Sequence, residues 1–325
     1  MIFRFFLWLL EASGCHARIA LPIGVVVALL LPNLDGFFKP AAPFILTVLV
    51  AAAFVRLELG SVLKAALRPR RLLRNFAISL GLLLVVPVTL VSLGRLFGLA
   101  EDMLPMITWY AVAPPVATTI WMCVFLGFAA PIAMEVVILT NLLAPFTGPF
   151  MGEFLLDKAV PLSSLLLCLR LGAILGGGML LAAVCRHFLR PARIEANRQR
   201  LDGVSTIAML AFLVPVFDGA GAVAAAAPMA GLACLGLAAG LNFGSQALIF
   251  VGGRSLSLFR GGSFPEGTRS VAVVAGNRNL GLYFAALPAD PVFALFVAAY
   301  QFPIYLTPMI AGWFADRKAG TERAR

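Results

Sequence analysis

Three polar side chains and a glycine sit together inside a stretch that would otherwise dissolve in lipid. Ser270-Val-Ala-Val-Val-Ala-Gly-Asn-Arg-Asn-Leu-Gly-Leu-Tyr-Phe-Ala-Ala-Leu287 carries Gly276, Asn277, Arg278 and Asn279 at its middle. In hydrocarbon every backbone N–H and C=O needs a partner, so residues of this kind in mid-span favour a helix that stops and restarts. Such a break leaves carbonyls at the end of one half-helix and N–H groups at the start of the next, and broken helices form substrate and ion sites in transporters. Residues 276–279 are therefore the leading candidate for a binding site. The competing reading is a packed kink whose Arg278 merely neutralises a carboxylate.

A second interruption, Ala113-Pro-Pro-Val-Ala-Thr-Thr119, lies about half a chain earlier. Pro114 and Pro115 remove two backbone donors and disfavour helix before them, while Thr118 and Thr119 add hydroxyls. Corresponding interruptions in two halves of a chain point to a transporter site, which makes Thr118, Thr119, Asn277, Arg278 and Asn279 the candidate substrate-binding residues. Glu135 is the acidic residue set well inside an apolar run. A carboxylate there costs roughly 3 kcal/mol unless it is paired, hydrated or protonated. Three readings stay open for it: a proton-coupling acid, a structural ion pair with Arg278 or Arg170, and a residue wetted at the inner mouth. Asn141, Asn242, Ser245, Gln246 and Gln301 read as helix–helix hydrogen bonders, and the glycine run 172–178 as close helix packing.

These residues need a membrane bundle to hold them. With 61% hydrophobic and 12% charged residues, the chain is far more apolar than a soluble domain and reads as an all-α, polytopic membrane protein. Stretches long enough to cross about 30 Å of hydrocarbon number ten: 17–33, 38–55, 76–98, 104–126, 129–151, 160–185, 204–219, 227–252, 270–288 and 291–314. The seventh is short. Ten spans divide into two halves of five, and an odd number per half makes the second half enter from the opposite side, an inverted repeat. The expected organisation is a short interfacial helix at 1–16, repeats at 17–152 and 158–316, and a tail at 317–325. A cleaved signal is the weaker alternative for the first segment.

Orientation follows from the basic residues. With the N-terminus inside, 20 of the 25 Lys and Arg residues fall on the cytoplasmic side, including those of connectors 56–75 and 186–203. Lys39, Arg95 and Lys158 fall outside, and Arg170 and Arg278 within spans. Both termini are therefore expected in the cytoplasm and the chain in the inner (plasma) membrane. The same basic loops explain the net charge of +10 without nucleic acid. The five cysteines are odd in number, scattered and without metal-ligand spacing, and read as small core residues. His16 and His187 are the two histidines, both near the cytoplasmic face, so an intramembrane zinc site or Ser-His-Asp triad is not expected. No Gly-Lys-Ser phosphate loop appears. The reading is not an enzyme, with no cofactor, and energy would come from an ion gradient or the substrate's own gradient.

Several of these stretches carry a resemblance. The basic segment 57–74, Ala113-Pro-Pro-Val-Ala-Thr-Thr119, Asn141-Leu-Leu-Ala-Pro-Phe-Thr-Gly-Pro149 and Arg278-Asn-Leu-Gly-Leu282 resemble the bile acid:sodium symporters of the bile/arsenite/riboflavin transporter superfamily. The resemblance implies ten helices in two inverted five-helix repeats, with discontinuous fourth and ninth helices. Helices 1, 2, 6 and 7 would form a panel against a core of 3–5 and 8–10, with substrate between them. Where the sodium symporters have Ser-Asn at the fourth-helix crossover, this chain has Thr118 and Thr119. Where they have a Glu four residues before a Gln in the ninth helix, it has Val274 and Arg278, and their fifth-helix hydroxyls fall on Ala133 and Val137. Sodium needs several oxygen ligands, so the resemblance implies a sodium-independent relative. The expected function is secondary transport of a small organic anion by alternating access, with Glu135 the candidate for proton coupling. A membrane sensor or scaffold that binds such a ligand without moving it is the alternative. Oligomeric state is left open.

Overall fold

The structure, a computed structural model, describes residues 2–57, 68–156, 162–189, 191–259 and 266–323. Lys64, Asp157, Lys158, Arg190 and Arg260 lie outside the described residues. In chain order the helices are α1 (Ile2–Cys15), α2 (Ala17–Ala28), α3 (Ala42–Val55), α4 (Pro69–Leu96), α5 (Leu104–Val112) and α6 (Thr118–Phe125). They continue with α7 (Ala130–Leu156), α8 (Ser164–Phe188), α9 (Pro191–Ala196), α10 (Arg198–Phe217) and α11 (Ala220–Ala226). The last four are α12 (Pro228–Phe259), α13 (Glu266–Gly276), α14 (Leu280–Ala286) and α15 (Pro291–Arg323). There is no strand among the described residues. Proline opens many of these helices, at Pro69, Pro191, Pro228 and Pro291, because its missing N–H has no intrahelical partner in the first turn anyway.

Among the described residues five helices are long and apolar enough to cross a membrane: α4, α7, α8, α10 and residues Pro228–Ser255 of α12. A sixth results if Leu7–Cys15 and Ile19–Ala28, bent by 94°, act as one span. The apolar helices Lys39–Val55 and Pro291–Thr307 are shorter. The chain is a multi-pass membrane protein. Several charged segments expected to be connectors are helical instead. Helix α4 starts at Pro69 rather than near residue 76, α10 starts at Arg198 and so is not short, and α15 runs through the expected tail to Arg323. Arg, Lys and Glu favour helix, and a helix can continue past hydrocarbon once its long side chains reach water.

Internal contacts divide the chain into two compact units. The first comprises Met1–Glu58, Leu165–Leu235 and Gly281–Phe302, and the second Leu59–Ser164, Gly236–Leu280 and Pro303–Arg325.

In the first unit, α10 packs along α1, α2 and α3. The approach to α1 is close enough that a side chain at Gly203 would collide with the Leu10 carbonyl. Charged side chains close one end: Arg56 pairs with Asp202 at 2.5 Å, Arg200 with Glu11 at 2.8 Å, and Arg186 donates to the carbonyls of Val55 and Leu57. Asp218, past the end of α10, accepts the backbone N–H of Leu34 and of Gly36.

In the second unit α7 is the central helix, and α4, α5, α6 and α13 pack against it. Among the residues it buries are the small or branched Ala133, Val136, Val137 and Ala144, which let neighbouring backbones approach closely. Helix α4 carries a π-helical segment, Gly81–Val85, which interrupts its regular i to i+4 ladder.

Candidate functional site

Two helix interruptions meet in the second unit. Helix α5 stops at Val112, where Ala113 turns extended (φ −65°, ψ 138°) as the residue before a proline must, and α6 starts at Thr118. Helix α13 stops at Gly276, and α14 starts at Leu280. The two interrupted segments pair in an isolated antiparallel bridge, Pro115 with Arg278. The Val116 N–H donates to the Asn277 carbonyl at 3.0 Å, and the Asn279 N–H to the Pro114 carbonyl at 2.7 Å. Each break therefore supplies the backbone partners that the other has lost, which hydrocarbon cannot supply. Asn141 of α7 adds its side-chain N–H to the Pro115 carbonyl at 3.3 Å. Gly276 is required by crowding, since a Cβ there would overlap the Asn242 carbonyl and the Gln246 side chain.

Arg278 is fully buried beneath this crossing. Its Nε donates to the Ala275 carbonyl at 2.7 Å, Nη1 to the Ala113 carbonyl at 3.0 Å and Nη2 to the Leu82 carbonyl at 3.4 Å. Ala113 and Ala275 stand at the C-terminal ends of α5 and α13, where carbonyls lack intrahelical donors and the helix dipole is negative. Leu82 belongs to the π-helical segment of α4. One planar fork thus joins three helices through acceptors that local irregularity has released.

A shell of neutral polar groups surrounds the second break. The Tyr110 hydroxyl lies 2.8 Å from the Leu241 carbonyl and 3.2 Å from both Ser245 Oγ and the Gly276 carbonyl. Asn242 donates to the Gly276 carbonyl at 2.8 Å, and Gln246 donates to Asn242 Oδ1 at 2.9 Å. The Asn277 amide donates back to the Val273 carbonyl at 2.9 Å. Asn242 and Ser245 act as the interhelical hydrogen bonders their types suggest, whereas Gln246 bonds to Asn242 within α12. Tyr110 was not legible as a member: its hydroxyl is one turn ahead of Pro114, and that spacing is the only sequence signal for it.

The five expected substrate residues separate into two groups. Asn277, Arg278 and Thr119 are buried, Thr119 with its hydroxyl on the Val116 carbonyl at 2.7 Å, and they build the crossing. Thr118, at the first position of α6, is exposed, and Asn279, just ahead of α14, is half-buried. Those two remain accessible from the crossing.

Glu135 does not join them. It is 4% exposed, and its partners are Arg71 (Nη2 to Oε1 2.5 Å, Nε to Oε2 3.0 Å) and the Asn75 side-chain amide. The expected partners are engaged elsewhere, Arg278 as above and Arg170 on the Ala286 carbonyl at 2.9 Å. The difference arises because α4 begins earlier than its apolar run, so Arg71 and Asn75, one turn apart, lie on the face packed against α7.

The first unit holds an open cup of about 370 Å³ that sequence reasoning did not find. Lys39, Asp218, Phe284 and Asp290 are among its walls, with the Lys39 ammonium 5.0 Å from the Phe284 ring centre. Its three carboxylates have local work: Asp35 accepts from the Asn33 amide, Asp218 holds the 34–36 turn, and Asp290 accepts the N–H groups of Val292 and Phe293 at the start of α15.

No family model matches the chain, and no curated protein matches it.

Proposed function

We propose that the protein is a secondary transporter of a small organic anion, working by alternating access, with the crossed helix interruptions as its substrate site. The observation that carries this reading is the pairing itself. Two breaks far apart in sequence share one antiparallel bridge, with a buried guanidinium beneath and accessible polar groups beside it. Irregular backbone at membrane depth persists where it serves a cavity or a site, and paired interruptions of this kind are the sites of transporters built from repeats. In this reading the interrupted helices are the fourth and ninth of ten spans in two inverted five-helix repeats, with both termini in the cytoplasm.

The residues divide the work. Arg278 fixes a positive charge under the crossing and favours an anion there. Thr118 and Asn279 offer a hydroxyl and an amide to the anion's oxygens, and the positive end of the α6 dipole lies beside them. Glu135, clamped by Arg71 and Asn75, braces α4 on α7. The resemblance places sodium ligands at Val274, Ala133 and Val137, whose side chains offer no oxygen, and the Ala113 and Ala275 carbonyls accept from Arg278, which supports a sodium-independent reading.

Thermal unfolding of purified protein across a panel of small carboxylates and sulfonates, with sodium or choline as the cation, tests the site. At least one anion should raise the midpoint equally in both salts. Asn279→Ala and Thr118→Val should weaken that ligand about tenfold while unliganded stability holds. Undiminished stabilisation in both variants would move the site away from the crossing.

A further inference from the structure

The first two turns of α4 carry a cationic stripe beside an apolar one. Arg68, Arg70 and Arg74 are exposed, and Arg70 and Arg74, four residues apart, share one strip of the helix. The adjacent strip holds Leu73, 70% exposed, and Ala77, also exposed. The first turn contains no acidic residue. On the face opposite Leu73, Arg71 and Asn75 hold Glu135, and Arg74 Nε donates to Asn75 Oδ1 at 3.1 Å. Arg74 is thus oriented by a buried network while the rest of its guanidinium remains exposed.

Depth decides what such a surface meets. Helix α4 has 28 residues, a length of about 42 Å at 1.5 Å per residue. The hydrocarbon core is about 30 Å thick, so even with a tilt of about 20° roughly 10 Å of the helix extends into the headgroup layer. The apolar run begins near residue 76, which assigns the excess length to the end bearing Arg70 and Arg74. Arginine forks match phosphate oxygens in pairs, and basic residues at headgroup depth attract anionic lipid.

We propose that the first two turns of α4 bind the phosphate headgroup of an anionic membrane phospholipid, with Arg70 and Arg74 on the phosphate and Leu73 and Ala77 against an acyl chain. A free phosphate ion would use the arginines but leave Leu73 in water, so the exposed apolar strip favours the lipid as source. Because Asn75 links Arg74 to Glu135, an occupied headgroup site steadies the α4–α7 contact from outside. This inference is independent of what the crossing transports.

The experiment compares phosphatidylglycerol, phosphatidylcholine of the same chain length and inorganic phosphate, each titrated into the detergent-solubilised full chain while the thermal midpoint is read. Phosphatidylglycerol should raise the midpoint by about 3 °C or more, and the other two should not. Arg70→Gln/Arg74→Gln should abolish that shift with the lipid-free midpoint nearly unchanged, whereas Arg193→Gln, in another basic segment, should keep it. Native mass spectrometry of the same samples should count one phosphatidylglycerol fewer on the double variant, a readout that survives if its midpoint falls. The proposal is overturned if wild-type protein shows no selective shift, if inorganic phosphate reproduces it, or if the double variant retains both the shift and the lipid.

Discussion

Among its described residues the second unit buries two charges, and it solves the problem in opposite ways. Arg278 sits where helices have been broken, and released carbonyls of α5, α13 and the π-helical segment of α4 receive its N–H groups. Glu135 sits on α7, an unbroken helix whose carbonyls and amides serve one another, so its carboxylate needs side chains, and it takes Arg71 and Asn75. A buried cation can take backbone carbonyls as acceptors where the backbone is irregular. A buried anion on a regular helix needs a partner with its own charge. The first arrangement keeps a fixed positive field beside accessible groups, whereas the second closes on itself and leaves nothing for a ligand.

Several substitutions would break or sharpen this contrast. The largest effect is expected for Arg278→Ala, which leaves buried carbonyls of Ala113 and Ala275 without that donor and opens a void. Unfolding in detergent should show a loss of about 4 kcal/mol, with Arg278→Lys recovering part of it because an ammonium reaches fewer acceptors. Wild-type stability in Arg278→Ala would remove the guanidinium from its bracing role. Gly276→Ala should come next, at about 2 kcal/mol, because a methyl group there presses on the Asn242 carbonyl, and the cost should fall in a Gln246→Ala background where one neighbour is removed.

Smaller effects are expected at the carboxylate. Glu135→Gln keeps the shape but weakens the Arg71 pair, and a cycle with Arg71→Gln should give a coupling of about 1 kcal/mol, limited by the partial exposure of Arg71. Combined with Arg278→Lys, Glu135→Gln should be additive to within about 0.5 kcal/mol, since the two charges have separate partners. Strong coupling between them would restore the ion pair that the sequence suggested. Tyr110→Phe should be the mildest, about 1 kcal/mol, because its hydroxyl is one of several donors at the Gly276 carbonyl.

The breaks were legible because they violate a simple rule: two prolines and a Gly-Asn-Arg-Asn run have no place in a continuous lipid-facing helix. Their identity as partners was suggested by spacing, but the bridge between Val116, Asn277, Pro114 and Asn279 is a tertiary fact that no local pattern encodes. Glu135 shows the reverse. Its anomaly was plain, yet its partner was misassigned to Arg278 or Arg170 because helix α4 was read from hydropathy alone. Hydropathy marks where hydrocarbon ends, and a helix does not have to end there, so Arg71 and Asn75 were left in a connector. The same cause shortened α10 and gave a tail where α15 continues. The division of the five site residues into buried and accessible depended on which way each side chain leaves the crossing, a matter of backbone direction at a break with no period to count.

The central claim is that the crossing moves an anion rather than merely holding one. Proteoliposomes containing the purified chain, loaded with an unlabelled anion that stabilises it and diluted into the labelled form, measure this directly through counterflow. Saturable accumulation that is unchanged when choline replaces sodium, and reduced about tenfold or more by Asn279→Ala in protein of normal stability, is the predicted result. An anion that stabilises the protein through Asn279 but is not exchanged would contradict transport and make the protein a ligand-binding membrane sensor.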